Sequence, residues 1–268
     1  LDLSHIKALV VDDFLPNLNV AAGMLRKHKI QVDTAFSGQE AVSRIKSGEP
    51  VYDIIFMDHL MPDMDGIETV RLIRSIGTEY AGSVPVIALT TIAEGVDYAA
   101  VTDGQMFLDN GFQAFLSKPL SLAKVDAFFK DWIRGKKKAS SVDSDKKEEN
   151  MKIEITGVDE NKIMELYDGD MEIFLPVLRS YLSVIPASLE KMRSVSAETL
   201  AEYRVSVHGV KSTSESIGAL EARKMAAELE VLAKDGNLPG VLAKNEALIR
   251  YIDELLGNIQ HWLERLDA

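Results

Sequence analysis

The chain has 268 residues, of which 46% are hydrophobic and 27% are charged, and this composition is typical of a folded globular protein. It contains no cysteine, which excludes disulfide-stapled modules, thiol nucleophiles and cysteine-ligated metal centres. With 30 basic and 42 acidic side chains the net charge is -12, which disfavours binding to nucleic acid.

The N-terminal residues lack the basic and apolar regions of a signal peptide, and no long uninterrupted apolar run follows. We therefore expect a cytoplasmic segment without membrane contact of its own. Because the chain starts at Leu1 and not at a methionine, we also expect it to be part of a longer protein, whose remainder can carry a membrane anchor.

The first half of the chain alternates short apolar runs with amphipathic stretches. The apolar runs predict strands at Ile6–Val11, Val32–Phe36, Ile54–Met57, Val86–Leu89 and Phe112–Leu116. Helical periodicity predicts helices near 16–29, 38–47, 66–76, 94–109 and 121–134. Strands that are apolar throughout belong to a parallel sheet covered on both faces, so residues 1–134 are predicted to form a doubly wound five-stranded α/β domain.

Residues 135–150, GKKKASSVDSDKKEEN, are nearly devoid of strong hydrophobes and are predicted to be a linker. After it the pattern is helical only. Helices are predicted near 159–167, 170–183, 186–195, 197–216, 219–235 and 239–266, with a break at Pro186. Residues 151–268 are therefore predicted to form an all-α, antiparallel four-helix bundle.

Chemically active residues follow the predicted strands of the first domain. Asp12 and Asp13 end the first strand, Asp58 the third and Thr90 the fourth, while the fifth runs into Lys118. Each residue alone also has a structural explanation as a helix cap or a turn. Together, however, three carboxylates at one sheet edge repel each other, so we expect Lys118 and a divalent cation such as Mg²⁺ to balance them.

Such a site suits phosphoryl chemistry. A carboxylate beside a bound cation can attack phosphorus, an ammonium can pair with a phosphoryl oxygen and a hydroxyl can donate to another. Asp58 is the central candidate for the acceptor, with Lys118 and Thr90 in the other two roles.

The segments ALVVDD, IIFMDHLMPDMDG, VIALT and FLSKP together resemble the receiver domain of bacterial response regulators, which has a flavodoxin-like fold. The resemblance implies that Asp58 becomes phosphorylated. It also implies that Asp13, Asp58 and the backbone carbonyl of Leu60 ligate Mg²⁺, while Asp12 acts through a bound water.

The resemblance further implies that Thr90 and Phe115 are the switch pair that rearranges on phosphorylation, although simple strand packing is the stronger explanation for Phe115, because an apolar aromatic side chain already fits that core. Two features depart from the family pattern. Thr91 occupies a position where a smaller residue is usual, and the segment between Thr90 and Lys118 is long. The fourth helix and the signalling surface next to it are therefore not assigned to a partner.

In the helical half, His208 has a distinctive setting. It belongs to a polar stripe with Arg204, Lys211 and Glu215, and we expect this stripe to face solvent. A lone exposed histidine usually has no function. The small Gly209 beside it and the ammonium of Lys211 one turn later nevertheless favour a phosphoryl acceptor.

The segment VHGVKSTSESIGA resembles the signature of histidine-containing phosphotransfer (HPt) domains, although Ser212 stands where that family often has glycine. The resemblance implies that His208 carries the phosphoryl group and that Lys211 assists it. The remaining histidines are His5, His28, His59 and His261, and none has such a setting. If the third strand continued, the His59 side chain would point away from Asp58, and we assign His59 to the loop.

The tandem arrangement resembles the C-terminal part of a hybrid sensor histidine kinase and predicts a phosphorelay module. Its partners would be an upstream histidine kinase domain and a downstream response regulator or HPt domain. Without a glycine-rich ATP motif, the chain is expected to transfer phosphoryl groups and not to act as a turnover enzyme by itself. Two alternatives remain: a scaffold that is not phosphorylated, and a Mg²⁺-dependent aspartyl-phosphate phosphatase, which would need its nucleophile on the first strand.

Overall fold

The computed structural model describes residues 2–90, 102–136 and 153–267. The chain divides into two compact units, Leu1–Ser144 and Asp145–Ala268. We call them the α/β unit and the helical unit. The division falls inside the predicted linker, most of which lies outside the described residues; the exact linker bounds stay a prediction.

The α/β unit contains one five-stranded parallel sheet. Its strands are β1 (Lys7–Val11), β2 (Gln31–Ala35), β3 (Ile54–Asp58), β4 (Val86–Thr90) and β5 (Ala114–Ser117). The spatial order is β2-β1-β3-β4-β5 and every neighbouring pair is parallel. All residues of β3 and β4 are buried, as expected for strands covered on both faces. The predicted flavodoxin-like fold is confirmed.

Six helices connect and flank the described strands: α1 (Leu15–Lys27), α2 (Gly38–Ser47), α3 (Gly66–Ser75), α4 (Glu79–Ser83), α5 (Thr102–Asp109) and α6 (Leu122–Lys136). The predicted helix near 94–109 is observed only as α5, because residues 91–101 lie outside the described part of the chain, and Thr91 lies there too. The sheet order reverses at β1, between β2 and β3. In such sheets ligands bind at the carboxyl ends of the strands beside this reversal.

The short helix α4 was not predicted from the sequence. Its N-cap is Thr78, whose hydroxyl accepts a hydrogen bond from the Ala81 amide at 3.1 Å. Arg74, near the end of α3, donates to the carbonyls of Ala81 at 2.9 Å and Val84 at 2.8 Å. The same guanidinium donates to the carbonyl of Gly111 before β5 at 2.9 Å. One side chain thus ties α3, α4 and the entry to β5 together.

The helical unit contains α7 (Glu160–Tyr167), α8 (Met171–Arg193), α9 (Leu200–Ser216), α10 (Leu220–Lys234) and α11 (Leu238–Leu266). The four long helices contact one another in the cyclic order α8, α9, α10, α11, and α7 packs against α8. Buried apolar side chains from all four line the interior. This is the helical arrangement that the sequence predicts.

The predicted break at Pro186 is wrong, because α8 runs without interruption through both Pro176 and Pro186. A proline inside a helix costs about 3 kcal/mol. The buried face of α8 continues across both prolines, from Phe174 and Tyr181 to Leu189, and its burial outweighs that cost.

Within the described residues, α8 is also the one helix that is long and apolar enough to cross a membrane by length and composition alone. In the structure, 44% of the most apolar 18-residue stretch of α8 is buried inside the helical unit. A core helix of a bundle meets the same criteria, and packing in the interior accounts for its composition.

Candidate functional site

Three carboxylates meet at the carboxyl ends of β1 and β3. Val11 pairs with Met57 across these strands, so the next residues, Asp12 and Asp58, lie level with each other. One carboxylate oxygen from each of Asp12, Asp13 and Asp58 lies within 4.8 Å of the other two. Asp12 is 1% exposed and Asp58 is 4% exposed. We call this group, together with Lys118, the acidic pocket.

Lys118, which directly follows β5, supplies the positive charge of the pocket. Its Nζ lies 2.7 Å from Asp12 Oδ2 and 3.1 Å from Asp58 Oδ2. Burial alone would lower the pKa of Lys118, but the two carboxylates outweigh burial and raise it, so the ammonium stays charged. One ammonium against three carboxylates leaves the pocket with excess negative charge.

The environment of the acidic pocket changes the pKa of Asp12. Burial, followed by the neighbouring charge of Asp58, raises its pKa to about 6 against the opposing effect of Lys118. Its Oδ1 accepts hydrogen bonds from the Phe14 amide at 2.9 Å and from Asn17 Nδ2 at 3.0 Å. These bonds fix one oxygen in place, while Oδ2 faces Lys118.

The loop after β3 approaches the pocket through a glycine. A Cβ atom at Gly66, the first residue of α3, would lie 2.3 Å from the Asp58 carbonyl oxygen and 2.8 Å from His59 Cα. The Gly66 amide also donates to the His59 carbonyl at 3.1 Å. Only glycine permits this close approach. The final residue of the segment MPDMDG therefore lets α3 pack directly beneath Asp58.

The structure also locates the remaining residues predicted for this edge. Thr90 is 4% exposed at the end of β4, and its carbonyl accepts from the Lys118 amide at 2.7 Å. Phe115 is partly buried and packs against the apolar core beneath the sheet. The Leu60 amide lies 3.5 Å from Asp58 Oδ1. Thr90 and Leu60 therefore lie at a strand end and in a loop next to the acidic pocket, whereas Phe115 lies within β5.

His59 lies in the loop after β3, as the sequence predicts, because the strand ends at Asp58. Its Nδ1 lies 3.3 Å from the Leu89 carbonyl oxygen and 3.9 Å from Asp58 Oδ1, and its ring meets Phe107 edge-on at 5.4 Å between centroids. Strand alternation ends at Asp58, so it does not govern the next side chain. His59 borders the pocket.

In the helical unit, His208 and Lys211 on α9 share one carboxylate from α10. His208 Nδ1 lies 2.5 Å from Glu230 Oε1, and Lys211 Nζ lies 2.6 Å from Glu230 Oε2. The three side chains are 17%, 18% and 19% exposed, in the order His208, Lys211, Glu230. We call these three residues the histidine cluster.

The polar stripe on α9 is less exposed than the sequence predicts, because α10 lies against much of it. Glu215 pairs with Arg223 at 3.4 Å, and His208, two turns earlier on α9, pairs with Glu230, two turns later on α10. The two helices are therefore antiparallel. Between them, Gly218 turns the chain at φ 74°, and a Cβ there would lie 2.9 Å from the Asp159 carbonyl oxygen.

Glu230 was missed by the sequence analysis. It lies 22 residues after His208, beyond the end of α9 and the turn at Gly218, and no local spacing connects them. The sequence contains only an indirect indication of this contact. If α9 and α10 pair in antiparallel fashion around Gly218, the segment near Glu230 comes level with His208.

Comparison with known proteins identifies the α/β unit. Residues 8–129 match the family model of the response regulator receiver domain. This part of the chain is a response regulator receiver domain. All four residues of the acidic pocket lie within the matched range.

Individual relatives extend this result. A stretch of 131 residues is 37% identical to hybrid signal transduction histidine kinase M of Dictyostelium discoideum, covering 48% of this chain and 5% of that protein. The aerobic respiration control sensor protein ArcB of Escherichia coli is 26% identical over 279 residues, covering 99% of this chain and 32% of that protein.

Among solved structures, the receiver domain of a sensor histidine kinase from Pseudomonas aeruginosa is 30% identical, covers 48% of this chain and 98% of that one, and has a TM-score of 0.39. The chain spans at most a third of the curated relatives named above. The ArcB alignment covers the helical unit as well as the receiver domain. It therefore supports the order of a receiver domain followed by a helical, HPt-like unit.

Proposed function

We propose that the chain is a phosphorelay module of a two-component system, in which Asp58 accepts a phosphoryl group from a kinase histidine and His208 exchanges it with a receiver aspartate. The observation that carries the proposal is the position of Asp58 in a receiver domain, next to two further carboxylates and 3.1 Å from the ammonium of Lys118. The resemblance of the His208 segment to HPt domains supports the second half.

The donor set of the acidic pocket fits Mg²⁺. Hard divalent cations prefer carboxylate and carbonyl oxygens, and one oxygen from each of the three carboxylates lies within 4.8 Å of the others. Asp13, Asp58 and the Leu60 carbonyl would hold the ion, with Asp12 acting through water. Bound there, Mg²⁺ supplies positive charge that shields the carboxylates and the phosphoryl oxygens from each other.

Each residue of the acidic pocket would then have a separate role in phosphoryl transfer. An Asp58 carboxylate oxygen forms a bond to phosphorus while the N–P bond of the donor phosphohistidine breaks, and the released imidazole keeps the electron pair. Lys118 pairs with a phosphoryl oxygen, and the Thr90 hydroxyl donates to another. Thr90 and Phe115 would rearrange afterwards as the switch pair.

In the second step, a ring nitrogen of His208 forms the N–P bond as the O–P bond of an aspartyl phosphate breaks, which regenerates a carboxylate. Lys211, one turn along α9, supplies positive charge near the incoming phosphoryl group. The partners proposed for these steps are an upstream histidine kinase domain and a downstream response regulator or HPt domain.

A mass-spectrometric assay tests the proposal. The full chain is incubated with acetyl phosphate and Mg²⁺, and its intact mass is compared with that of the Asp58→Asn and His208→Gln variants. We expect one phosphoryl group on the wild type and none on Asp58→Asn, since the nucleophilic carboxylate is then absent. A fraction that is labile to acid and stable to base should require both Asp58 and His208.

Two matched variants serve as controls. Asp63→Asn removes an exposed carboxylate from the loop after Asp58, and His261→Gln removes an exposed histidine from α11. Both should be phosphorylated like the wild type. Phosphorylation that survives Asp58→Asn unchanged would contradict Asp58 as the acceptor. No adduct on the wild type at any Mg²⁺ concentration would contradict the proposal and favour a scaffold that is not phosphorylated.

A further inference from the structure

One side chain of α6 bonds to the backbone around Lys118. Lys124, the third residue of α6, donates from its ammonium to the carbonyl of Pro119 at 2.9 Å and to that of Ser117, the last residue of β5, at 3.3 Å. These two carbonyls belong to the residues immediately before and after Lys118. A partly buried cation on the helix therefore holds the stretch of chain that carries the positive charge of the acidic pocket.

The position of this ammonium is unfavourable for the helix itself. The amides at the start of a helix carry partial positive charge, so acidic side chains are favoured there and basic ones are not. The first turn of α6 contains no acidic residue, and Ser121 Oγ accepts the Lys124 amide at 3.3 Å, as a helix cap does. Since the helix disfavours a cation at this position, the bonds to the two carbonyls are the interaction that accounts for Lys124.

The Lys118 ammonium depends on its backbone for its position. The side chain has a flexible four-carbon stem, yet its Nζ meets Asp12 Oδ2 at 2.7 Å and Asp58 Oδ2 at 3.1 Å. The Lys118 amide donates to the Thr90 carbonyl at 2.7 Å, and Lys124 restrains the carbonyls on either side. The backbone of Lys118 is thus fixed jointly by β4, through Thr90, and by α6, through Lys124.

We propose that Lys124 is a positioning residue, which fixes the backbone on both sides of Lys118 and so keeps the Lys118 ammonium in the acidic pocket. The inference rests on the proposed function for its effect on phosphoryl transfer, in which Lys118 pairs with a phosphoryl oxygen. The placement of Lys118 is independent of that function. Lys124 itself takes no part in the bonds that form and break, and it acts by holding another group in one geometry.

Lys124 contacts a different part of the sheet edge from the proposed Mg²⁺ ligands. Asp13 follows β1 and Asp58 ends β3, whereas Lys124 bonds to the segment after β5. Loss of Lys124 should therefore slow phosphoryl transfer without weakening Mg²⁺ binding. A substitution that merely damages the fold would weaken both.

Nitrogen-15 NMR of the lysine ammonium groups tests the placement on the full chain, without phosphorylation. The Lys118 signal is assigned by its loss in Lys118→Arg, which keeps a cation in the pocket. In the wild type we expect this ammonium to be visible, because burial and its ion pairs protect its protons from exchange with solvent. In Lys124→Met, which keeps most of the apolar stem and removes the donor, the Lys118 signal should shift or disappear. Lys124→Gln is a milder second variant and should change the signal in the same direction.

Three further variants are the controls. Lys130→Met removes an exposed lysine from the same helix, and Ser121→Ala removes the cap of α6 but leaves the ammonium of Lys124. Both should leave the Lys118 signal as in the wild type. Lys124→Arg should also preserve it, because a guanidinium can donate to several carbonyls at once, as that of Arg74 does.

Phosphorylation by acetyl phosphate tests the consequence for the reaction. Lys124→Met should be phosphorylated about tenfold more slowly than the wild type, because a small displacement of a group that meets the reacting atoms is costly. Lys124→Arg should recover most of the rate. The affinity for Mg²⁺ alone, measured by isothermal titration calorimetry, should not weaken in either variant.

The results separate the inference from the function on which it rests. An unchanged Lys118 signal in Lys124→Met overturns the inference, and so does a loss of rate that is accompanied by weaker Mg²⁺ binding or reproduced by Ser121→Ala. A Lys118 signal that depends on Lys124 in a chain whose Asp58 is never phosphorylated supports the positioning role and overturns the proposed function.

Discussion

The acidic pocket and the histidine cluster both place charged side chains in a mostly buried environment, but they balance charge differently. The pocket brings three carboxylates to one ammonium. In the cluster, a single carboxylate lies between an ammonium and an imidazole, so the charges balance within the side chains themselves. The first arrangement requires an additional cation to neutralise its excess negative charge, whereas the second requires none.

The two tryptophans make this comparison measurable, because one lies in each unit. Trp132 belongs to α6 of the receiver domain, and Trp262 belongs to α11 of the helical unit. A Trp262→Phe background reports on the receiver domain by fluorescence, and a Trp132→Phe background reports on the helical unit. Unfolding by denaturant then gives a separate free energy for each.

The largest effect is expected from Lys118→Met. It leaves Asp12 and Asp58 buried without their shared counter-charge, and breaking a buried ion pair in this way destabilises a protein by about 3 kcal/mol or more. Trp132 fluorescence should report this loss in the absence of Mg²⁺. The matched control is Lys29→Met, which removes an exposed pair with Asp2 and should leave the free energy of unfolding nearly unchanged.

Addition of Mg²⁺ should act on the receiver domain alone. A ligand that binds only the folded state at about 100 times its dissociation constant stabilises that state by about 3 kcal/mol. We expect this increase in the Trp132 transition and no change in the Trp262 transition. Asp13→Asn should abolish the increase. An equal response in both transitions would show that the ion does not distinguish the two sites.

Gly66→Ala tests whether the pocket depends on the close approach of α3. The new Cβ would lie 2.3 Å from the Asp58 carbonyl oxygen, so β3 or α3 has to move, at a cost of about 2 kcal/mol. Gly82→Ala, in α4, meets no atom within 4 Å and should stabilise the receiver domain slightly. Equal effects from both substitutions would argue against a tight fit at Gly66.

The smallest effect concerns Glu230→Gln and depends on pH. Because the pKa of Glu230 is lowered from 4.5 to about 2, the carboxylate stabilises the folded state above pH 4.5, and this contribution is lost as the pH falls toward 2. At pH 7 we expect Glu230→Gln to destabilise the helical unit by about 1 kcal/mol, read from Trp262. The difference from the wild type should shrink below pH 4.5.

What the sequence predicts well is the acidic pocket, and the reason is topological. Parallel strands end at one edge of a sheet, so Asp12, Asp58 and Lys118 could be assigned to one place without knowledge of any side-chain contact. The register that brings Asp12 level with Asp58 confirms this placement. Strand alternation does not apply beyond the last residue of β3, so it could not predict the orientation of His59 in the loop that follows.

The histidine cluster was only half predicted. His208 and Lys211 share a helix and are linked by helical spacing, but Glu230 belongs to another helix, whose register with α9 no local pattern specifies. The same limitation explains the error at Pro186, where a local rule predicts a break. Burial of the helix along its length is a tertiary effect that the local rule does not contain.

Arg74 links two segments of the receiver domain whose local unfolding should be coupled. Its guanidinium bonds to carbonyls on both sides of β4 in the sequence, at Ala81 and Val84 before it and at Gly111 after it. One guanidinium holds both segments, so displacement of the Arg74 side chain releases both at once. Their backbone amides should therefore exchange with solvent deuterium as one cooperative group, although α4 is only a five-residue helix.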